Sequence, residues 1–309
     1  MILSPAISSS KENGYDSVLE FGDPKGERII QFTGNGDLNI IGYNGEKVLI
    51  YSNENIFQDD YEDLEKAKGL KKIGGGGGFN IINNKQDNII IISRPIDEDI
   101  DLDIKVPNNT FLKFGSDVNM DSWGNSKAMN QILSSIYNEN EKAQDDFVAD
   151  IIGKTLGGSF YGILDGDVSI KDFSGTIEVN TVDGDIRAEN IEGEIIASTI
   201  DGDINVIFKK LHKGGALYFS AVDGDIDVSF PQDIQADIMA KTMDGDVYSG
   251  FDGEVTMGKE MENKITAGGN KHNFNNLFHS NYITTRINGG GHEVYLNTVD
   301  GNIYIRKGN

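Results

Sequence analysis

The chain has 309 residues, with 27 Lys and Arg against 50 Asp and Glu, so its formal net charge at pH 7 is −23. This charge argues against nucleic acid or an anionic membrane as the main partner, because both are themselves negatively charged. The chain contains no cysteine, which excludes disulfides, thiolate metal sites and a cysteine nucleophile. Its 38 glycines against 5 prolines are typical of recurring tight turns.

No stretch of the chain approaches the roughly 18 consecutive apolar residues that a transmembrane helix needs, so we expect no membrane insertion. The first residues also lack the basic segment and the apolar run of a signal peptide. No export signal is visible in this chain, and the absence of cysteine decides neither compartment.

The first half of the chain carries irregularly spaced strand signals. Apolar residues alternate with polar ones in short runs bounded by Gly, Pro or Asn, which indicates half-buried strands. The predicted strands are Ile29–Phe32, Asp37–Ile41, Val48–Tyr51, Phe79–Ile82, Asn88–Ser93 and Asp101–Val106.

Two segments break this β pattern. The charged run Tyr61–Leu70 predicts a short helix before the five glycines Gly74–Gly78. Apolar residues at helical spacing between Ser126 and Gly153 predict an interrupted helical insertion, and Trp123 lies where it could anchor that insertion on the β body. We therefore divide the chain into a less regular β part (1–120), a helical insertion (121–155) and a glycine-repeat part (156–309) within one continuous domain.

The second half contains an internal repeat. Asp-Gly-Asp followed by Val or Ile begins at five positions with steps of 18, 18, 22 and 21 residues, and a variant, Asp300-Gly301-Asn302-Ile303, follows 56 residues later. Between the first copies, Gly175 and Gly193 complete a nine-residue glycine period. The carboxylates of the five copies are Asp165, Asp167, Asp183, Asp185, Asp201, Asp203, Asp223, Asp225, Asp244 and Asp246.

Around each glycine the apolar residues follow a period of two, which indicates strands that bury one face. Each nine-residue unit is then one strand and one turn, and the alternation of two turn types predicts an all-β solenoid, similar to a single-stranded β-helix. An antiparallel meander is the alternative, but it gives no reason for every second turn to repeat the same residues. The predicted turn glycines are Gly166, Gly175, Gly184, Gly193, Gly202, Gly224, Gly245 and Gly301.

These motifs resemble the DUF4097 family of bacterial β-strand-repeat proteins, a family of adhesin candidates. The resemblance rests on four segments: Gly36–Val48, Leu102–Pro107, the array from Asp165 to Val247, and Ile287–Ile305. It implies a solenoid-like β body and a noncatalytic protein of the cell envelope or a secreted one. The family pattern contains no catalytic residues to carry over, and a cytoplasmic location is the alternative.

The Asp-Gly-Asp array suggests two interpretations. Stacked in register, like carboxylates would lie about 4.8 Å apart, and each pair would repel by roughly 0.9 kcal/mol in water. A column of Ca²⁺ ions would relieve this repulsion, because Ca²⁺ binds carboxylate and carbonyl oxygens. The favoured interpretation is turn chemistry, since Asp before Gly stabilises tight turns by itself; we then expect no cofactor.

Other candidate sites are weaker. A β-helix enzyme acting on polysaccharides would need two carboxylates about 5 to 9.5 Å apart, and the sequence singles out no such pair. The glycines Gly74–Gly78 lack the Gly-Lys-Ser/Thr end of a phosphate loop. The four histidines lack metal-binding spacing, although two lie in the polar loop Gly268–Asn281, either a recognition tip or a plain surface loop; they are His212, His272, His279 and His292.

The sequence therefore predicts a noncatalytic, adhesin-like surface protein that acts through an acidic, repetitive β surface. Its expected partner is a protein or glycan surface. A Ca²⁺-stabilised β-repeat module is the alternative, and a polysaccharide-active enzyme is the third possibility.

Overall fold

The computed structural model describes residues 15–52, 79–95, 98–115, 163–212, 217–257, 265–267, 270–272 and 283–308. Every regular element within these ranges is a β-strand. The predicted helices at Tyr61–Leu70 and Ser126–Gly153 lie outside the described residues, as does Trp123. The described part contains no helix long and apolar enough to cross a membrane.

The strands of the first half confirm all six predicted there, with bounds shifted by a few residues. They are β1 (Ser17–Glu20), β2 (Ile29–Thr33), β3 (Leu38–Tyr43), β4 (Lys47–Tyr51), β5 (Asn80–Asn84), β6 (Ile89–Ser93), β7 (Leu102–Pro107) and β8 (Thr110–Phe114).

The strands of the second half follow the repeats. They are β9 (Ile163–Asp165), β10 (Val168–Lys171), β11 (Ser174–Asp183), β12 (Ile186–Ser198), β13 (Ile204–Lys210), β14 (Leu217–Ser220), β15 (Ile226–Phe230), β16 (Ala236–Lys241), β17 (Val247–Ser249), β18 (Glu254–Met257), β19 (Ile265–Ala267), β20 (Asn270–His272), β21 (Ile283–Ile287), β22 (His292–Asn297) and β23 (Ile303–Lys307). β19 and β20 form a separate hairpin.

Parallel pairing builds two stacks of strands that face each other across the core. The first stack has the spatial order β7-β3-β10-β12-β13-β15-β23-β17. The second stack has the order β6-β2-β8-β11-β12-β14-β22-β16. Equivalent residues pair in register along both stacks. This parallel register confirms the all-β solenoid-like fold, and it shows that the meander alternative is wrong for the repeat part.

The core lies between the two stacks, and its columns are built from one apolar residue per layer. In the first stack Leu38, Val168, Ile186, Ile204, Ile226 and Ile303 pair in sequence and are all fully buried. Burial of one such side chain stabilises a fold by about 1.5 to 3 kcal/mol. The period of two in the sequence therefore marks the inward-facing residues correctly.

The layers do not all follow one another in chain order. β23, the last strand of the chain, lies between β15 and β17. In the same way β22 lies between β14 and β16. The C-terminal coil, His292–Lys307, thus occupies a position between two coils that precede it in the sequence.

The structure differs from the sequence prediction at two glycines. Gly175 lies within β11 and Gly193 lies within β12, where we predicted turns. Both glycines have a positive φ, at 157° and 143°. Gly175 and Gly193 pair with each other in the parallel ladder of β11 and β12, so no separate turn is needed there.

Gly202 provides the first test of the layered fold. A Cβ at this position would collide with the carbonyl oxygen of Gly184 in the adjacent layer, and φ is +145°. We expect Gly202→Ala to lower the free energy of unfolding by about 2 kcal/mol or more, measured by denaturant unfolding.

Gly250 provides the matched control. Its φ is not in the left-handed region, and an added Cβ would lie no closer than 3.4 Å to its nearest neighbour. Gly250→Ala should therefore change stability by less than about 0.5 kcal/mol. Equal unfolding midpoints for Gly202→Ala and the wild type would contradict the layered arrangement.

Candidate functional site: the aspartate corner

The Asp-Gly-Asp turns form one corner of the solenoid, which we call the aspartate corner. In spatial order its glycines are Gly36, Gly166, Gly184, Gly202, Gly224, Gly301 and Gly245. The N–H of each glycine from Gly36 to Gly301 in this order donates to the carbonyl oxygen of the first Asp in the next layer at 2.9–3.0 Å, and the glycines from Gly166 onward have φ between 126° and 148°. The turns that repeat in the sequence therefore lie directly on one another.

The second Asp of each turn forms a ladder that runs between layers. Its carboxylate Oδ1 accepts a hydrogen bond from the backbone N–H of the equivalent residue in the next layer. The acceptors in order are Asp101, Asp37, Asp167, Asp185, Asp203, Asp225 and Asn302, at 2.9, 2.9, 2.9, 2.7, 2.8, 2.6 and 3.0 Å. A hydrogen bond from an amide to an ionised carboxylate stabilises more than a neutral one.

The first Asp of each turn has a different environment, because its side chain is exposed and takes no part in the ladder. Six such carboxylates, one in each layer from Gly166 onward, form a line on the surface; they are Asp165, Asp183, Asp201, Asp223, Asp300 and Asp244. Partial burial raises the pKa of Asp165 and Asp223, and the neighbouring Asp carboxylates raise it further. Since these pKa values exceed those in the unfolded chain, ionisation of both groups opposes folding as the pH rises through them.

Threonine hydroxyls support the corner from inside. A Thr lies two residues before the first Asp in four of the turns, and Ala221 takes this position in a fifth. The Oγ1 of Thr298, for example, donates to the carbonyl oxygen of Gly224 at 3.0 Å, and that of Thr242 to Gly301 at 2.9 Å. Our sequence interpretation missed this column, although the recurring Thr-x-Asp-Gly was visible.

Arg94 holds the N-terminal end of the corner. Its guanidinium is buried and donates to the carbonyl oxygens of Gly34, Gly36 and Ile100 at 2.8, 2.5 and 3.0 Å. Burial lowers the pKa of Arg94 to about 10, so the side chain remains charged at neutral pH. No motif in the sequence marks this residue, because its three acceptors are backbone atoms.

The structure brings the ten candidate cation ligands to this one corner but divides them into two columns. The second Asp of each inner turn already uses Oδ1 for the adjacent amide, while the first Asp faces solvent. Among the described residues, no group of three or more Asp, Glu or His is arranged to hold a metal ion. The turn interpretation places the cap on the Asp before Gly, whereas the hydrogen bonds of the structure are made by the second Asp, between layers; the turn interpretation and the cation column both stay predictions.

The opposite corner carries two clefts of about 470 and 870 Å³. They share Glu192 and Lys209, which form an ion pair at 2.7 Å. The smaller cleft lies beside the end of β3. The layer that β3 occupies in the first stack has no strand in the second stack, where β8 pairs directly with β11. The larger cleft lies beside the segment that links β15 to β16, and His292 lines this cleft. The linking segment passes the layer that β22 and β23 occupy.

The remaining histidines are not brought together in the described structure. His212 lines a third cleft of about 250 Å³ beside Glu194. His272 belongs to β20, and His279 lies outside the described ranges, as does most of the predicted recognition loop.

Residues 164–306 match the family model Toastrack DUF4097, so the repeat part of this chain is a DUF4097 region. This match covers the aspartate corner from its second layer to its last. It confirms the resemblance that the glycine turns indicated.

One solved structure similar to this chain is that of a candidate cell adhesion protein from Clostridium sporogenes ATCC 15579. The two chains are 13% identical, and the alignment covers 94% of this chain and 97% of that one with a TM-score of 0.42. The adhesion description applies to the Clostridium protein, and a TM-score of 0.42 is too low to transfer it, or the fold, to this chain. No curated protein matches the sequence.

The carboxylate ladder can be tested at Asp203, whose Oδ1 accepts from the Asp225 N–H. We expect Asp203→Ala to cost about 1 to 3 kcal/mol of unfolding free energy, because the amide loses its acceptor. Asp203→Asn should be nearly neutral, since Asn302 already fills this role with its amide oxygen. Chemical denaturation measures both. An alanine variant as stable as the asparagine variant would contradict the ladder.

The two interpretations of the aspartate array predict different melting behaviour. If turn chemistry is correct, the Tm in EDTA and in millimolar Ca²⁺ should agree within about 1 °C. A bound Ca²⁺ column would instead stabilise the fold by about 2.7 kcal/mol at a concentration of 100 times Kd, and the Tm would rise accordingly. Mg²⁺ at the same ionic strength controls for simple charge screening.

Proposed function

We propose that this protein is a noncatalytic, adhesin-like protein of the cell surface, which binds a partner through the aspartate corner. The line of six exposed carboxylates carries this proposal. The DUF4097 region includes this line.

The geometry of the corner favours binding by repetition. Layer spacing places successive carboxylates about 4.8 Å apart, and the ladder of amide hydrogen bonds holds each turn in the same conformation. Individually weak contacts to a complementary surface would then add along the row without ordering the protein further.

Charge determines which partners fit. With a formal charge of −23 the chain attracts cationic surfaces and repels anionic ones. Arg187 binds Asp167 at 2.8 Å and also contacts Asp185, but both of these carboxylates belong to the ladder and not to the row. We therefore expect the partner to present basic groups, and we expect its binding to weaken with salt.

A noncatalytic role agrees with the chemistry of the corner. The raised pKa values of Asp165 and Asp223 belong to solvent-exposed side chains. An acid catalyst would need its carboxyl in an apolar pocket with a second carboxylate at a defined distance. The corner offers equivalent groups in every layer, an arrangement suited to binding.

The proposal can be tested with beads that carry the full chain. We expect the beads to be retained on intact cells or isolated envelopes of the source organism. Retention should fall between about 0.1 M and about 1 M salt, where the Debye length shrinks from about 10 to about 3 Å. Antibody labelling of intact cells tests the surface location independently.

Two triple variants provide the comparison. Asp183→Asn, Asp201→Asn and Asp223→Asn together remove three charges from the row. Glu46→Gln, Asp87→Asn and Asp103→Asn remove three exposed charges from elsewhere. Only the first triple should reduce retention several-fold, and equal retention of both variants would refute the role of the corner.

A further inference from the structure

One of the four end strands of the solenoid differs from the other three. The two parallel stacks have four end strands: β7 and β17 in the first stack, β6 and β16 in the second. An antiparallel strand pairs with three of them, namely β4 with β7, β5 with β6 and β21 with β16. Within the described ranges β17 pairs only with β23, and we call its other side, which has no partner strand among the described residues, the open edge.

The open edge exposes the hydrogen-bonding groups that join every inner layer to the next. In the neighbouring layer, which contains β23, the N–H groups of Gly301 and Ile303 donate to the carbonyl oxygens of Asp244 and Asp246. The equivalent N–H groups of Gly245 and Val247 face away from the stack, and no described residue accepts from them. The carboxylate ladder also stops here, because Asp246 Oδ1 has no described donor.

The column of core residues is also incompletely covered at β17. Val247 continues the column of Ile226 and Ile303, which are fully buried, yet Val247 is only partly buried. Its neighbour Tyr248 is 50% exposed. The Tyr248 ring stacks on Tyr304 with centroids 5.3 Å apart. A further strand would cover both side chains, and it would satisfy the backbone groups that an edge strand leaves unpaired.

Charge at this end indicates the composition of such a strand. Asp244 and Asp246 are exposed in the turn that leads into β17, and Asp252 is exposed three residues after β17 ends. Arg306 is already paired with Asp227, with its Nε 2.7 Å from Oδ1. The Arg306 guanidinium also lies 5.2 Å from the centroid of Tyr304. An incoming Arg over the free face of Tyr248 would repeat this contact, whereas a second copy of this acidic chain would be repelled.

We propose that the open edge of β17 is a strand-addition site for an extended, Lys- or Arg-bearing segment of a partner protein. Main-chain hydrogen bonds to Val247 and Ser249 supply the pairing, and the three Asp residues with Tyr248 select basic side chains. This inference rests on the proposed function, since it specifies the partner as a protein and places its contact at the end of the aspartate corner.

A synthetic nonapeptide that alternates Arg and Val serves as the probe, with the full chain as the receptor. A Glu/Val nonapeptide and an Arg/Pro nonapeptide are the comparisons, because the first has the wrong charge and the second cannot form a strand. We expect saturating Arg/Val peptide to slow amide hydrogen exchange in residues 244–250 about ten-fold, and the two comparison peptides to leave it unchanged.

Variants of Ser249 and Asp246 test the same edge by calorimetric titration. Peptide groups alternate in direction along a strand, and the Gly250 N–H points to β23, so the Ser249 N–H points to the open side. Ser249→Pro should weaken binding of the Arg/Val peptide about ten-fold, while Ser249→Ala, which keeps the N–H, should not. Asp246→Asn should weaken binding, while Asp103→Asn, at the other end of the same stack, should not.

Each other outcome overturns the proposal. Unchanged exchange in residues 244–250, equal protection by all three peptides, or protection confined to the six-carboxylate row would each exclude strand addition. Protection without peptide that grows with protein concentration would identify a second copy as the occupant. The first triple variant leaves the β17 edge unchanged, so loss of bead retention in that variant would uphold the proposed function even if strand addition fails.

Discussion

The contact between one glycine turn and the next is the interaction on which the structure depends. At the aspartate corner each glycine between the two end layers lies against the glycine carbonyl of the adjacent layer and donates its N–H to an Asp carbonyl of the following one. No side chain fits into this contact, and the positive φ is one that residues with a Cβ rarely adopt. Because the contact fixes the position of every layer, it also sets the register of both strand stacks and aligns the aliphatic columns of the core.

The same contact explains how the chain can place its layers out of sequence order. Every layer presents identical backbone groups above and below, so a coil from elsewhere in the chain can occupy any position. The coil His292–Lys307 does so between the coils of β14–β15 and β16–β17. Equivalence of layers also produces the surface, because each layer from Asp165 onward contributes one exposed carboxylate to the same line and, except in the last layer, one Asp or Asn side chain to the ladder. Fold and proposed binding surface therefore share one physical origin.

Much of this architecture follows from the sequence, because glycine period and apolar alternation are local signals. They predict six of the eight strands of the first half and the recurring corner correctly, and they miss β1 and β8. The order of the layers is not predictable in this way, since Asp244 and Asp300 carry nearly the same motif and nothing local states which follows Asp223. Gly193 was assigned to a turn because a bent strand and a turn require the same φ. Arg94 was missed because its partners are backbone carbonyls. Asn302 departs from the Asp pattern without consequence, because the ladder needs only an oxygen acceptor.

Cysteine pairs test the layer order most directly, because the chain has no cysteine of its own. Asp223 and Asp300 bridge as neighbours, and so do Asp244 and Asp300. Adjacent layers place such residues about 4.8 Å apart, within the Cα separation that a disulfide spans, whereas two layers exceed it. The structure predicts that a variant with Cys at 223 and 300 oxidises readily in the folded state, and that one with Cys at 223 and 244 does not. Rapid disulfide formation between 223 and 244, with none between 223 and 300, would contradict the account.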